Sequence, residues 1–159
     1  MSRISIFAAL IATAAGLAFG VSPGSGADQP TVISLLSMNH GGTLVDVDRS
    51  GGQGPTLGDE YIFTDRLYQW DGGKRGKRVG TTHGIATITS PTTAFFTGTI
   101  FLPGGQIQGS GYFRFTARVE KIIVVGGTGR YGNAGGEVTI TKIGGESSEK
   151  SAMVVRLVR

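Results

Sequence analysis

One carboxylate in this chain stands among apolar neighbours in a way that could do chemistry. Along Glu60-Tyr61-Ile62-Phe63-Thr64-Asp65-Arg66-Leu67-Tyr68 the side chains alternate, with Tyr61, Phe63, Asp65 and Leu67 on one face and the charged Glu60 and Arg66 on the other. If the first face looks inward, Asp65 becomes an acid on an apolar wall. Burial there disfavours the charged form and raises the pKa, which makes a carboxyl usable as an acid or base near neutral pH. An arginine partner, or a place at a solvent-filled mouth, would instead leave it an ordinary ionised side chain. Glu137, in the strand-like stretch Gly135-Gly136-Glu137-Val138-Thr139-Ile140-Thr141, is the second acid of interest. The wall around Asp65 is assigned to Tyr61, Phe63, Leu67, Ala86, Ile88 and Tyr112, the last depending on whether Gly109 or Gly111 hosts a bulge.

Other motifs fall short of the chemistry they suggest. Gly127-Thr128-Gly129-Arg130-Tyr131-Gly132 has the spacing of a dinucleotide-binding turn. That turn must open a helix whose first amides face a pyrophosphate, and the sequence that follows alternates like a strand. Asp46-Val47-Asp48-Arg49-Ser50-Gly51 opens like a calcium loop, but Leu57 stands where the bidentate glutamate belongs. Lys74-Arg75-Gly76-Lys77-Arg78 reads as a solvated basic loop. His40 and His83 are the only histidines, with no cysteine or second acid at ligand spacing, so neither a metal site nor a catalytic triad has support.

The elements that must position Asp65 are strands. Short β-branched and aromatic runs recur between glycine-rich breaks, and no stretch shows capped helical periodicity. Strands are expected near Thr31–Met38, Gly58–Trp70, Val79–Thr89, Ala94–Leu102, Ile107–Ala117, Lys121–Val125, Gly135–Ile143 and Ser151–Val158. This is an all-β chain with the strand number of a small closed antiparallel barrel, whose interior holds side chains or one small ligand. Glycine pairs such as Gly41-Gly42, Gly72-Gly73, Gly104-Gly105 and Gly144-Gly145 are assigned to turns. In the third strand Thr82, Gly84, Ala86 and Ile88 share a small or apolar face, which leaves room beside a ligand and turns His83 outward.

The N-terminus reads as an export signal. Arg3 precedes an uncharged apolar run from Ile6 to Phe19, too short to span a bilayer and followed by Ser25-Gly26-Ala27, with cleavage placed after Ala27. Residues 1–27 are therefore the signal and residues 28–159 a single domain, with no stable membrane insertion after cleavage and a secreted or periplasmic location. The alternative is an uncleaved anchor. The chain has no cysteine, so packing and sheet closure must hold it without disulfides. With Arg3 removed, 14 basic residues face 11 acidic ones, too small an excess for nucleic-acid binding.

Two blocks, Gly58-Asp59-Glu60-Tyr61-Ile62-Phe63-Thr64-Asp65-Arg66-Leu67-Tyr68 and Ile122-Ile123-Val124-Val125-Gly126-Gly127-Thr128-Gly129-Arg130-Tyr131, resemble the barrel shared by allene oxide cyclases and dirigent proteins. The resemblance implies an eight-stranded, calycin-type antiparallel barrel, commonly a homotrimer, that holds a small hydrophobic reactive molecule while it cyclises or couples, with no cofactor. It also implies which residues act. Phe63 stands at the family's pocket phenylalanine and Asp65 at the cyclases' asparagine, while Asp65 matches a dirigent aspartate beside Thr64. The cyclases' first-strand glutamate has no counterpart in Thr31–Met38, and Gly135 replaces the dirigent arginine. The expected function is a cofactor-independent cyclase or isomerase with Asp65 as its catalytic group. A lipocalin-like carrier without turnover is the alternative.

Overall fold

A computed structural model describes residues 30–47, 54–144 and 148–158. Eight strands follow in chain order: β1 (Thr31–Val45), β2 (Glu60–Trp70), β3 (Arg75–Ser90), β4 (Thr93–Leu102), β5 (Gly105–Arg114), β6 (Val119–Gly127), β7 (Gly135–Ile143) and β8 (Lys150–Val158). Each pairs antiparallel with the next, and β8 closes on β1, so the described sheet has no free edge. Closure satisfies the ladder amides that an open sheet would leave bare.

Alternation along each strand sets what fills the lumen. On β2 the inward side chains change from Tyr61, 38% exposed, to Leu67, 0% exposed. The barrel is thus open at the Tyr61 end and packed solid at the level of Leu67. Leu35, Ile107, Val138 and Val155 complete that packed zone, all at most 2% exposed. The glycine-rich turn after β6 adds to it. Its short 3-10 segment, Gly129–Tyr131, carries Tyr131 and then Ala134 into the same core, and Thr128 and Arg130 donate backbone hydrogen bonds to Gln106 and Gly104 across the β4–β5 hairpin. The turn runs directly into β7, so no helix dipole is available to a pyrophosphate.

Two expectations need correction. The first strand does not end at Met38, and Gly41-Gly42 is not a turn. The strand continues through both glycines with a bulge between Asn39 and Gly41, and the Tyr61 ring occupies the space a Gly42 side chain would need. The basic cluster is likewise not a loop. Arg75 to Arg78 begin β3 against Tyr68 and Trp70, with the Arg75 guanidinium 4.9 Å from the centre of the Tyr68 ring. Asp59, 2% exposed, accepts hydrogen bonds from the Val47 and Thr56 amides at 2.9 and 2.7 Å and from Thr56 Oγ1 at 3.0 Å, so this acid closes a connection. The assigned export signal, most of the Asp46–Gly51 motif and residues 145–147 lie outside the described residues.

Candidate active site in the barrel lumen

A chamber of about 160 Å³ lies in the lumen between the packed zone and the Tyr61 end. Its origin can be read from the register. At the level of Phe63, the cross-strand partners on β3, β4 and β5 are Gly84, Gly98 and Gly109. Three successive strands contribute no side chain to the lumen there. The Phe96 ring leans over this belt: a Cβ on Gly84 would come within 2.6 Å of its Cε2 and one on Gly98 within 2.5 Å of its Cζ. Ile100 and Ile107 form the floor one level down, with Ile122, Val138, Ile140 and Met153 on the far wall.

The rings form a track into this space. Tyr61 stacks on Phe63 and Phe63 on Phe96, each with centroids 5.8 Å apart, and Phe113 meets Phe96 edge-on at 5.3 Å. Beside these rings is a polar arc drawn from four adjacent strands: Ser151 (β8), Ser37 (β1), Asp65 (β2) and Thr82 (β3) all border the chamber. Ser37 faces Ser151 across one ladder, and Asp65 faces Thr82 across another. Ser37 Oγ donates to Asp65 Oδ2 at 2.6 Å. Among the described residues no cation pairs with Asp65. Burial pushes its pKa above the usual aspartate value, opposed in part by the Ser37 hydrogen bond. The Thr82 hydroxyl, on a residue 4% exposed, has no hydrogen-bond partner among the described residues.

The structure brings two of the seven expected site residues, Asp65 and Phe63, onto the chamber wall. Tyr61 sits at its outer end, stacked on Phe63. Leu67 belongs to the packed zone beneath, and Ala86 and Ile88 lie on β3 beyond Gly84, outside the chamber lining. Tyr112 is corrected outright: Gly109, Gly111 and Phe113 keep inward parity, so Tyr112 points outward, 61% exposed, against Phe95. Glu137 is also outside. It pairs with Lys121 at 3.0 Å, and that contact holds its pKa below the ordinary range. His83 faces outward as expected, edge-on to Phe101.

Sequence reasoning missed Ser37, Ser151, Phe96 and Phe113 as wall residues. The alternation of β4 could have offered Phe96, because Gly98 and Ile100 share its parity. The serines gave no such signal, since their neighbourhood depends on the pairing of β1 with β2 and β8. Among the described residues no three His, Asp or Glu side chains gather as a metal-binding cluster.

Residues 42–155 match the allene oxide cyclase barrel like domain. The chain belongs to this family. Among solved structures, this family member is similar to a pyocyanin demethylase, with 26% identity and a TM-score of 0.65 over 80% of this chain and 100% of that one. It is also similar to a pterocarpan synthase dirigent protein, with 15% identity and a TM-score of 0.64 over 81% of this chain and 83% of that one. A Diels Alderase from Streptomyces koyangensis shares 16% identity and a TM-score of 0.59 over 84% of this chain and 71% of that one. The last two likenesses show the shared barrel. No curated protein matches the allene oxide cyclase-like chain in sequence.

Proposed function

We propose that this barrel binds a small, mostly apolar reactive molecule and steers its isomerisation, by cyclisation or proton-assisted rearrangement, without a cofactor. The observation that carries the reading is Asp65. It is a carboxyl on the wall of a largely apolar chamber, held by Ser37, with its pKa raised and no cation beside it among the described residues. Structural aspartates are usually paired or solvated, whereas a carboxyl kept this way is poised to exchange a proton with whatever fills the space.

Two effects would supply rate. The ring track and the glycine belt confine a flexible molecule near one reactive shape, and orientation of this kind can remove several kcal/mol of barrier. Proton transfer by a positioned carboxyl contributes roughly 10²–10⁴ in rate. The likeness to a pyocyanin demethylase supports small-molecule chemistry in such a lumen. We place the working protein outside the cytoplasm as a homotrimer, on the N-terminal sequence and the family resemblance respectively. The carrier alternative draws on one observation: Ser37 occupies the β1 wall, where the resemblance to the cyclases implies an acid.

The test is incubation of the protein with a metabolite extract from its producing cells, followed by mass spectrometry of retained and released molecules. The expected result is a retained molecule whose isomer accumulates with the wild type and about 10²–10⁴ times more slowly with Asp65→Asn. The same molecule retained unchanged by both proteins would leave a carrier and defeat the enzyme.

A further inference from the structure

Thr82 is a group of the polar arc that the proposed reaction does not use. Thr82 borders the chamber, is 4% exposed, and its hydroxyl finds no acceptor or donor among the described residues. A buried hydroxyl without a partner costs stability, so a native structure that keeps one calls for an explanation. A valine has the same shape and would remove that cost. Whatever enters the chamber is in position to satisfy this hydroxyl, since Thr82 can exchange its methyl and hydroxyl by a single χ1 step between staggered wells.

The direction of the hydrogen bonds narrows what that group must be. Thr82 is the direct cross-strand partner of Asp65, which places their Cβ atoms about 4.5–5.5 Å apart. Asp65 Oδ2 already accepts from Ser37. When the buried carboxyl is protonated, its proton therefore lies on Oδ1, and Asp65 presents a donor. Thr82 presents a second. A carbonyl oxygen, with two lone pairs, can accept from both. Size narrows the choice again, because a cavity of about 150 Å³ takes up one benzene molecule, and this chamber measures about 160 Å³.

Building on the reading of the chamber as the binding site, we propose that Thr82 and Asp65 grip a single carbonyl oxygen. The molecule bound is then a neutral cyclic or aryl ketone that buries about one ring against Phe63 and Phe96, and Thr82 is the residue that selects for its oxygen.

Two fragments of nearly equal shape separate oxygen recognition from simple filling of an apolar space: acetophenone, which carries the carbonyl, and α-methylstyrene, in which a methylene replaces it. Titration of the protein with each, followed by NMR, should show both probes perturbing the methyl signals of Ile107 and Met153. The ketone should bind about tenfold tighter, as expected for hydrogen bonds made in a dry site. Thr82→Val should reduce that preference about fivefold or more while leaving the affinity for α-methylstyrene unchanged, and Thr82→Ser should retain it. A thermal melt of Thr82→Val at or above the wild-type midpoint accompanies this result. An unchanged ketone preference in Thr82→Val, with both probes in the chamber, overturns the grip but leaves the binding site standing. Failure of both probes to perturb the chamber signals overturns both the grip and the binding reading beneath it, and failure of the ketone alone overturns the grip.

Discussion

Replacing Gly84 by alanine tests directly how the chamber is made. The new Cβ would stand 2.6 Å from Phe96 Cε2 and 2.9 Å from Phe63 Cζ, where ordinary contact begins at 3.4 Å, so the two rings must retreat by about 0.8 and 0.5 Å. Both rings face the lumen, and the space open to them is the chamber itself. Overpacking of this kind costs about 1–3 kcal/mol. For a domain of this size that corresponds to a fall in melting midpoint of about 3–15 °C. Gly126→Ala is the control, because nothing lies within 4 Å of its added Cβ and the backbone there is not left-handed. Gly126→Ala should be neutral, or stabilising by about 0.4–1 kcal/mol through a less flexible unfolded chain. Circular dichroism melts of the two variants, with acetophenone titrations beside them, give the comparison. Gly84→Ala should melt lower and take up less ketone, and Gly126→Ala should do neither. Equal melts and equal ketone uptake in the two variants would show that the rings are not seated on Gly84, and the account of why this lumen is partly empty would be wrong.

Asp65→Asn should change stability in a pH-dependent way. Because the folded-state pKa of Asp65 is raised by burial, the native protein holds this proton more tightly than the unfolded chain does. Its stabilising contribution is complete below the unfolded value near 3.8 and is lost as pH rises through the higher folded value. Denaturant midpoints of the two proteins from pH 3.5 upward should therefore show the asparagine variant gaining on the wild type, and a constant difference across the range would contradict the burial of this carboxyl. Asp59→Ala removes at least the three hydrogen bonds from Val47 and Thr56 to a buried carboxylate and should cost about 2–4 kcal/mol in chemical denaturation, with faster amide exchange at Val47 and Thr56. Wild-type stability and exchange would show that the connection before β2 does not rely on it. Tyr112→Ser alters an outward ring that is 61% exposed, so acetophenone affinity should stay within about twofold of wild type. A larger loss would mean that this face communicates with the lumen.

The residues that were easiest to place from sequence were those whose role follows from local alternation. β2 shows this best: a set carrying Glu60 and Arg66 alternates with a set carrying Tyr61, Phe63 and Leu67, and the shared parity of Phe63 and Asp65 needs no knowledge of neighbouring strands. The same reasoning failed at Gly41-Gly42, because a glycine pair permits a bulge inside a strand as readily as a turn between strands. It failed again at Tyr112, where the preceding Gly109 and Gly111 gave no parity of their own.

The sequence by itself determined the strand periodicity, the eight-strand closed sheet implied by it, and the presence of one acid on an apolar face. Only the tertiary structure decided that Gly84, Gly98 and Gly109 stand side by side, that Ser37 reaches Asp65 from a strand 28 residues away, and that Glu137 belongs to the outside. The physical reason is that alternation is a property of each strand alone, whereas a chamber is bounded by side chains that meet only through interstrand register. A shift of one residue in that register would have turned the whole arc away from the lumen.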